Sequence, residues 1–250
     1  MIYDFKSYFC KVKESEGFAI DSLTKDDLSL FREVVTAQYR NVLSHNKASD
    51  NEKELSINKY NQTRLAKSNE HGKAWSKVNR ILPQDSLKKL MKSDFFSALK
   101  SQVDWFQISD EENIGYPEVY FRLVRPSPYS DIGPLHCDAW FWELGHGEMP
   151  IVPFLVKRTK FWFSLYNQNN STGFRYVSGS HKIKFNYIAE ERDGFNKPFF
   201  DESFFQLDIE ELNGEPGTFI VFNDNLLHGG YTTEIDTRVS CEFTLILKQN

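Results

Sequence analysis

Residues 217–247 read GTFIVFNDNLLHGGYTTEIDTRVSCEFTLIL. The final run alternates: Arg238, Ser240, Glu242 and Thr244 fall on one face of a strand, and Val239, Cys241, Phe243, Leu245 and Leu247 on the other. In an open sheet that polar face would meet water, whereas in a closed barrel it can line an interior that carries a site. A guanidinium at Arg238 could clamp a carboxylate there through two parallel hydrogen bonds, with the Ser240 hydroxyl beside it. Upstream, GTFIVFN is a further β-favouring run, and Asn223, Asp224 and Asn225 form a turn that their own side chains explain. His228 stands between that turn and the last strand.

Working outward, EVYFRLVR, KFWFSLYN and GFRYVSG are β-favouring runs between turn signals, and from about residue 108 the apolar period is two. Strands this frequent, with no helices alternating between them, predict a sandwich, jelly roll or barrel rather than a parallel α/β sheet. Before residue 108 the period is helical. LTKDDLSLFREVVTAQYRNVL places Leu23, Leu28, Phe31, Val34, Val35 and Val42 at spacings near three and four, with Thr24 and Asp27 as a capping pair. Residues 44–70 are mostly polar and read as a solvated helix pair or a mobile loop. Helical spacing returns in WSKVNRILPQDSLKKLMKSDFFSALKSQV, interrupted at Pro83. Neither a repeat nor a linker separates the halves. One domain over residues 1–250 is expected, with a mainly helical part (1–107) packed on a β core (108–250).

The chain has 250 residues, enough to bury a core without disulfides. Its three cysteines, Cys10, Cys137 and Cys241, are far apart and form no CxxC, which argues against a disulfide framework or a thiolate zinc site. With 22 Phe, 11 Tyr and 5 Trp the interior should be strongly aromatic, which suits a wide barrel or a ligand pocket. A formal net charge of −5 with no concentrated Lys/Arg run points away from nucleic acid and anionic membrane, towards a small-molecule partner. No apolar run of membrane-spanning or leader type is evident, so a cytoplasmic location is expected; self-association into a homo-oligomer is left open.

PLHCDAWFW (134–142) sets His136 and Asp138 two apart, on one face if the segment is a strand. Two ligands do not make a site, and His228 is the candidate third. Two histidines and one carboxylate on one face of a metal are the arrangement of non-haem Fe(II) oxygen chemistry. A rival pair, His146 and Glu148 in LGHGEMP, lies among Gly145, Gly147 and Pro150 and reads as a loop over the site. On strand alternation Trp140 and Trp142 continue the face of His136 and Asp138, which makes them candidate substrate contacts. His181 reads as a turn or pocket-wall residue, and His45 and His71 as solvated.

With these residues in view, the chain resembles the Fe(II)/2-oxoglutarate dioxygenases, and within them the phytanoyl-CoA dioxygenase-like family, over roughly residues 118–247. LHCD matches the HxD of that family, NNSTGFRYVSGSHK its glycine-rich stretch ending in GSHK, and FNDNLLHGG with TRVS its distal His and Arg. The resemblance implies a double-stranded β-helix (jelly roll, cupin-like) flanked by the N-terminal helices. It also implies Fe(II) on His136, Asp138 and His228, and Arg238 on the distal carboxylate of 2-oxoglutarate. O2 would then be consumed in hydroxylating an unactivated carbon of a small metabolite, with formation of succinate and CO2. Related halogenases carry a small residue where this chain has Asp138, so hydroxylation rather than halogenation is expected. Ser178 stands where proline is usual. Gly230 stands where many relatives have a hydroxyl residue, which leaves the hydroxyl partner of Arg238 among Ser240, Tyr231 and Thr232. Two other readings are a cupin-type metalloenzyme not using 2-oxoglutarate, which Arg238 opposes, and a non-catalytic small-molecule-binding barrel, which the full ligand set opposes. No acyl-CoA signature extends the family's name to a CoA ester substrate.

Overall fold

The structure, a computed structural model, describes residues 2–129, 131–192 and 194–249. Its strands are β1 (Phe18–Ser22), β2 (Phe106–Ile108), β3 (Tyr120–Val124), β4 (Val156–Tyr166), β5 (Ser171–Tyr176), β6 (Ile188–Arg192), β7 (Phe195–Phe199), β8 (Glu210–Asn213), β9 (Thr218–Asn223), β10 (His228–Gly230) and β11 (Arg238–Lys248). The major sheet runs β1-β9-β4-β11-β2, and β3 pairs with the first half of β11 on the edge where β2 pairs with the second. A minor sheet, β10-β5-β8, faces it, and β6 with β7 forms a separate hairpin. All the pairings are antiparallel. This is a double-stranded β-helix.

The alternation on β11 decides which side of the major sheet is which. Val239, Cys241, Phe243, Leu245 and Leu247 enter one apolar cluster with Phe161, Phe163 and Leu165 of β4. The helices Lys25–His45 and Asp94–Gln102 fill the other side of that cluster with Phe31, Val35, Tyr39, Phe95 and Phe96. Phe95 is fully buried and sits edge-on to Phe5, Phe96, Phe161, Phe163 and Phe219, which uses the complementary charge of ring edge and ring face. A second, smaller cluster lies between the two sheets and joins Trp162, Ile220 and Phe222 to Phe174, Tyr176 and Leu212. It closes one part of the barrel and leaves the polar face of β11 to line the rest.

Helix Lys25–His45 starts as its sequence indicates, with the Thr24 hydroxyl accepting from Asp27 N at 3.1 Å. The reciprocal bond is missing, because the Asp27 carboxylate instead accepts from Tyr3 Oη at 2.6 Å and Asp94 N at 3.1 Å. The helical spacing is interrupted at Pro83 as expected, between Lys77–Arg80 and Gln84–Leu90. Three departures concern the N-terminal part. Its residues 18–22 form β1, which pairs with β9 and supplies an edge of the major sheet, so that part is not merely a helical layer. Residues 44–70 expose much of their polar surface, but they are not a free loop: Ile57, Tyr60, Thr63 and Ala66 are buried. Lys59 pairs with Asp236 at 2.6 Å, Thr237 N donates to Asn58 O at 2.9 Å, and Asn61 donates to Ile235 O at 3.0 Å, so this segment is stitched to the loop that delivers Arg238. Polar composition misled here because the polar groups find protein partners. Among the described residues no helix is long and apolar enough to cross a membrane.

His71 is the third departure. Its ring is enclosed, with Nδ1 2.9 Å from Tyr60 Oη and Nε2 3.6 Å from Asp131. Tyr60 Oη already accepts from Trp75 Nε1 at 2.6 Å, so its own proton goes to His71 Nδ1, which assigns a neutral imidazole with Nε2–H towards Asp131. Asp131 in turn receives a two-point bond from Arg125 at 2.7 and 2.6 Å. Burial pulls the His71 pKa from 6.5 down to about 4, against the opposing pull of Asp131. The unfolded chain therefore protonates this histidine before the folded one does. Stability linked to it is whole above about pH 6.5 and is lost progressively as pH falls towards about 4. Urea unfolding near neutrality and at about pH 5 should show His71→Gln losing less stability on acidification than the unaltered protein. An equal loss in both would exclude His71 as the source.

Candidate metal centre

The two histidines are brought together by backbone hydrogen bonding. His136 and His228 form an isolated antiparallel bridge, with His136 N donating to His228 O at 2.8 Å and His228 N to His136 O at 2.9 Å. Directly paired residues present their side chains to the same face, and the rings lie 4.6 Å apart between centroids. The bridge extends the minor sheet by one residue at the barrel opening. The chain then turns at once: Cys137 is the N-cap of a short helix, Asp138–Glu143, and Asp138 is its first residue. Cys137 Sγ donates to Asn225 O at 3.2 Å and Ala139 N to Asp224 O at 2.8 Å, so the turn at 223–225 holds this helix start in place.

His136, Asp138 and His228 offer ligand atoms that all lie within 4.8 Å of one another, and they are the one such cluster of three among the described residues. His136 Nδ1 lies 3.0 Å from Pro134 O and His228 Nδ1 2.9 Å from Leu226 O. A carbonyl only accepts, so both Nδ1 atoms carry the proton and both Nε2 lone pairs are free for a metal. Asp138 Oδ2 is buried without a hydrogen-bond partner and lies 3.8 Å from His228 Nε2. An orphaned carboxylate oxygen facing two unprotonated imidazole nitrogens fits a divalent cation and little else. Burial, with His228 beside it, pushes the His136 pKa down to about 3. Burial would raise Asp138, but Lys160 and the two histidines outweigh it and keep the carboxyl below its ordinary value. His136 and Asp138 are thus in their metal-binding forms at neutral pH.

The barrel wall next to the cluster is polar and charged. Arg238 is buried, with its Nε unpartnered and its guanidinium 5.6 Å from the Trp162 ring. Burial and the nearby Arg122 draw its pKa down to about 10, so it remains a cation. Ser240 lies two residues along the same face, opposite Ser164 of β4, and both hydroxyls are buried without partners. A register shift between Val239 and Ser240 marks a bulge where Arg238 enters the barrel. Two glycines make room for it. A Cβ at Gly173, which also has φ +71°, would sit 2.4 Å from Arg238 Cδ, and one at Gly230 would sit 3.3 Å from Nη2. Of the three hydroxyls open as partners of Arg238, Tyr231 is engaged with Ser171 at 2.6 Å and Glu211 at 3.1 Å, whereas Ser240 is free and shares the Arg238 face. No contact places Thr232 with them.

The reading of Trp140 and Trp142 as a continued strand face does not hold, because the segment is helical from Asp138. Two residues along a helix turn the side chain about 200° away. Trp140 is accordingly buried in a separate apolar cluster with Leu135, Val177 and Leu227, stacked on Tyr187 at 4.9 Å. Trp142, four residues from Asp138, lies beneath Arg158 at 4.7 Å. Phe141, three residues from Asp138, is the ring against the cluster, edge-on to His136 at 5.5 Å. His146 and Glu148 stay outside: His146 Nε2 bonds to Asn196 O at 2.6 Å and Glu148 is exposed. His181 packs against Gly17. Sequence reading missed Ser164, Lys160 and Arg122. Lys160 and Ser164 alternate with Phe161 and Phe163 as the polar face of β4 does on β11, and that pattern was available to find them.

Fold and cluster together define a class, the barrel oxygenases with a two-histidine, one-carboxylate metal site. The family model described as phytanoyl-CoA dioxygenase (PhyH) matches residues 47–236, and the chain belongs to that family. The match ends just before Arg238. No curated protein matches the sequence. Among solved structures, EvdO2 from Micromonospora carbonacea var. aurantiaca, complexed with 2-oxoglutarate, is similar at a TM-score of 0.57 and 14% identity over 98% of this chain and 91% of its own. The non-heme monooxygenase ThoJ (0.53, 14%, 98% and 77%) and the epimerase SnoN in complex with Fe3+, alpha ketoglutarate and nogalamycin RO (0.53, 12%, 97% and 83%) share the fold.

Because the site is a set of side chains on an already packed barrel, His136→Ala and His228→Ala should each abolish tight Fe(II) binding and leave the unfolding temperature within a few degrees. Anaerobic metal titration with parallel melting curves measures both. Loss of metal on His146→Ala instead would transfer the site to the rival pair.

Proposed function

We propose that this chain is an Fe(II)- and 2-oxoglutarate-dependent dioxygenase that hydroxylates an unactivated carbon of a small molecule. His136, Asp138 and His228 take the metal, and Arg238 with Ser240 takes the distal carboxylate of the cosubstrate. One observation carries the reading: a preformed two-histidine, one-carboxylate cluster with an orphaned Asp138 oxygen shares a barrel interior with an uncompensated buried arginine. The complexes described for EvdO2 and SnoN support the pairing of iron with a 2-oxo acid. Iron with 2-oxoglutarate and O2 supplies an oxidant able to take hydrogen from an unactivated carbon, with succinate and CO2 as coproducts.

The residues of the chain supply everything else. The backbone-anchored imidazoles of His136 and His228 and the Asp138 carboxylate would hold the metal, a three-donor set that would leave it able to take further ligands. Lys160 keeps Asp138 ionised. Arg238, with its guanidinium 5.6 Å from the Trp162 ring and its side chain against Gly173 and Gly230, can offer a fork to a carboxylate, and Ser240 and Ser164 can add hydroxyl donors. Phe141 against His136, and Phe174 and Phe222 against His228, supply the apolar wall that limits water at the cluster. A carboxylate at position 138, rather than a small residue, supports hydroxylation over halogenation. SnoN is called an epimerase, so the fold admits more than one outcome, and 18O2 distinguishes them: a hydroxylated product carries one labelled oxygen and an epimerised one carries none.

Iron-dependent formation of succinate from 2-oxoglutarate under air tests the class. Arg238→Ala should weaken 2-oxoglutarate binding by roughly 30- to several-thousand-fold, from about 2–5 kcal/mol for a buried charge pair losing one partner. Arg238→Lys keeps the charge without the fork and should lose less. The metal-to-ligand absorption band, titrated anaerobically, reports both; an unaltered affinity in the alanine variant would remove Arg238 from the site and favour an enzyme that does not use 2-oxoglutarate.

A further inference from the structure

Arg122 is charged, faces the barrel interior and has no side-chain hydrogen bond among the described residues. It lies on β3 directly opposite Ser240 of β11, between Phe121 and Leu123, which point the other way into the helix-covered cluster. Those neighbours are 0% and 6% exposed, yet the Arg122 side chain is 52% exposed. A residue on the inner face of a barrel reaches solvent only where the interior is open, so Arg122 marks the floor of a solvent-filled recess. Ser240 and Arg238 share that face, and the Arg238 guanidinium lies against Gly230, two residues from His228, which places the recess beside the metal cluster.

Among the described residues its one ion-pair partner is Glu242, with Oε1 3.5 Å from Arg122 Nε. That carboxylate is shared: Lys160 Nζ lies 3.7 Å from its other oxygen, and Lys160 also bonds to Tyr120 Oη at 3.0 Å. Glu242 Oε1 is buried and makes no hydrogen bond. The two terminal nitrogens of Arg122, the pair suited to a two-point bond, have no hydrogen-bond or ion-pair partner among the described residues. Arg238 lies diagonally across from it on the same face, two residues from Ser240. Two guanidiniums therefore share one wall with a single, already divided carboxylate between them. One distal carboxylate of 2-oxoglutarate answers to one of them, the fully buried Arg238. The exposed one is left for an anion that arrives from solvent.

We propose that Arg122 is a specificity-determining residue that receives a carboxylate or phosphate group of the oxidised substrate and orients that molecule over the metal cluster. The substrate class is thus a small organic anion whose charged group lies a few carbons from the position oxidised. This assignment rests on the metal and cosubstrate roles given above.

The test uses full-length protein loaded anaerobically with Fe(II) and 2-oxoglutarate. Hexanoate, phenylacetate and phenyl phosphate are titrated at constant ionic strength beside the methyl esters of the two acids and phenol, with binding read from the unfolding temperature and the absorption band. At least one anion should bind the unaltered protein while its neutral counterpart does not. Arg122→Gln should weaken that anion by about ten-fold or more, Arg122→Lys by less, and 2-oxoglutarate by no more than about two-fold. A loss of about ten-fold or more in 2-oxoglutarate affinity on Arg122→Gln would assign the guanidinium to the cosubstrate and overturn the proposal, as would equal binding of anions and neutral counterparts or no binding of either. Absence of the absorption band in the unaltered protein is a different failure, of the iron and 2-oxoglutarate reading itself, and would take this proposal with it.

Discussion

A single strand, β11, has to satisfy two environments at once. Its even-numbered residues, from Arg238 to Thr244, look into the barrel, and its odd-numbered ones, from Val239 to Leu247, look into a dry aromatic core. Slipping its register by one residue would put a guanidinium and a carboxylate among Phe95, Phe161 and Phe163. The cost of an unpaired buried charge, several kcal/mol, therefore locks the register of the strand that both sheet edges and the helical layer depend on. Everything that positions the site follows from that registration: Ser240 opposite Ser164, Arg122 opposite Ser240, and Arg238 beside the bulge.

Inside the barrel the charges sort into those the protein satisfies and those it leaves open. Lys160 is enclosed by Tyr120, Thr244 and Glu242, and Glu111 takes Lys77 and Thr244. Asp138 Oδ2, Arg238 Nε, Ser164 Oγ and Ser240 Oγ have no partner. Native interiors seldom leave such groups unpaired, and these four share the barrel interior. The protein's stability is spent on holding them ready, which is the pattern of a site preorganised for ligands that bring the missing partners.

The histidine pair shows how little freedom that arrangement has. The reciprocal backbone bonds between His136 and His228 fix the spacing of the rings, and the carbonyls of Pro134 and Leu226 fix their tautomers. Each constraint uses main-chain atoms two residues or fewer from the ligand. The fold itself is compatible with several outcomes of oxidation.

Period-two alternation in residues 108–250 determined the β core, because a strand's two faces are written in its sequence wherever one face is buried. The same logic identified His136, Asp138, His228 and Arg238 as a group through their order and spacing. Local pattern could not reveal that the chain leaves the strand at Cys137, since DAWFWE suits strand and helix alike; packing of Trp140 against Val177 and Leu227, and the bond from Ala139 to Asp224, decided for the helix. Nor could composition reveal that residues 44–70 are tied down, since a polar side chain reads the same whether its partner is water or Asp236. The inward direction of Arg122, the sharing of Glu242 and the burial of His71 are likewise tertiary facts. They depend on which strands become neighbours, and contacts between residues a hundred positions apart are set only when the barrel closes.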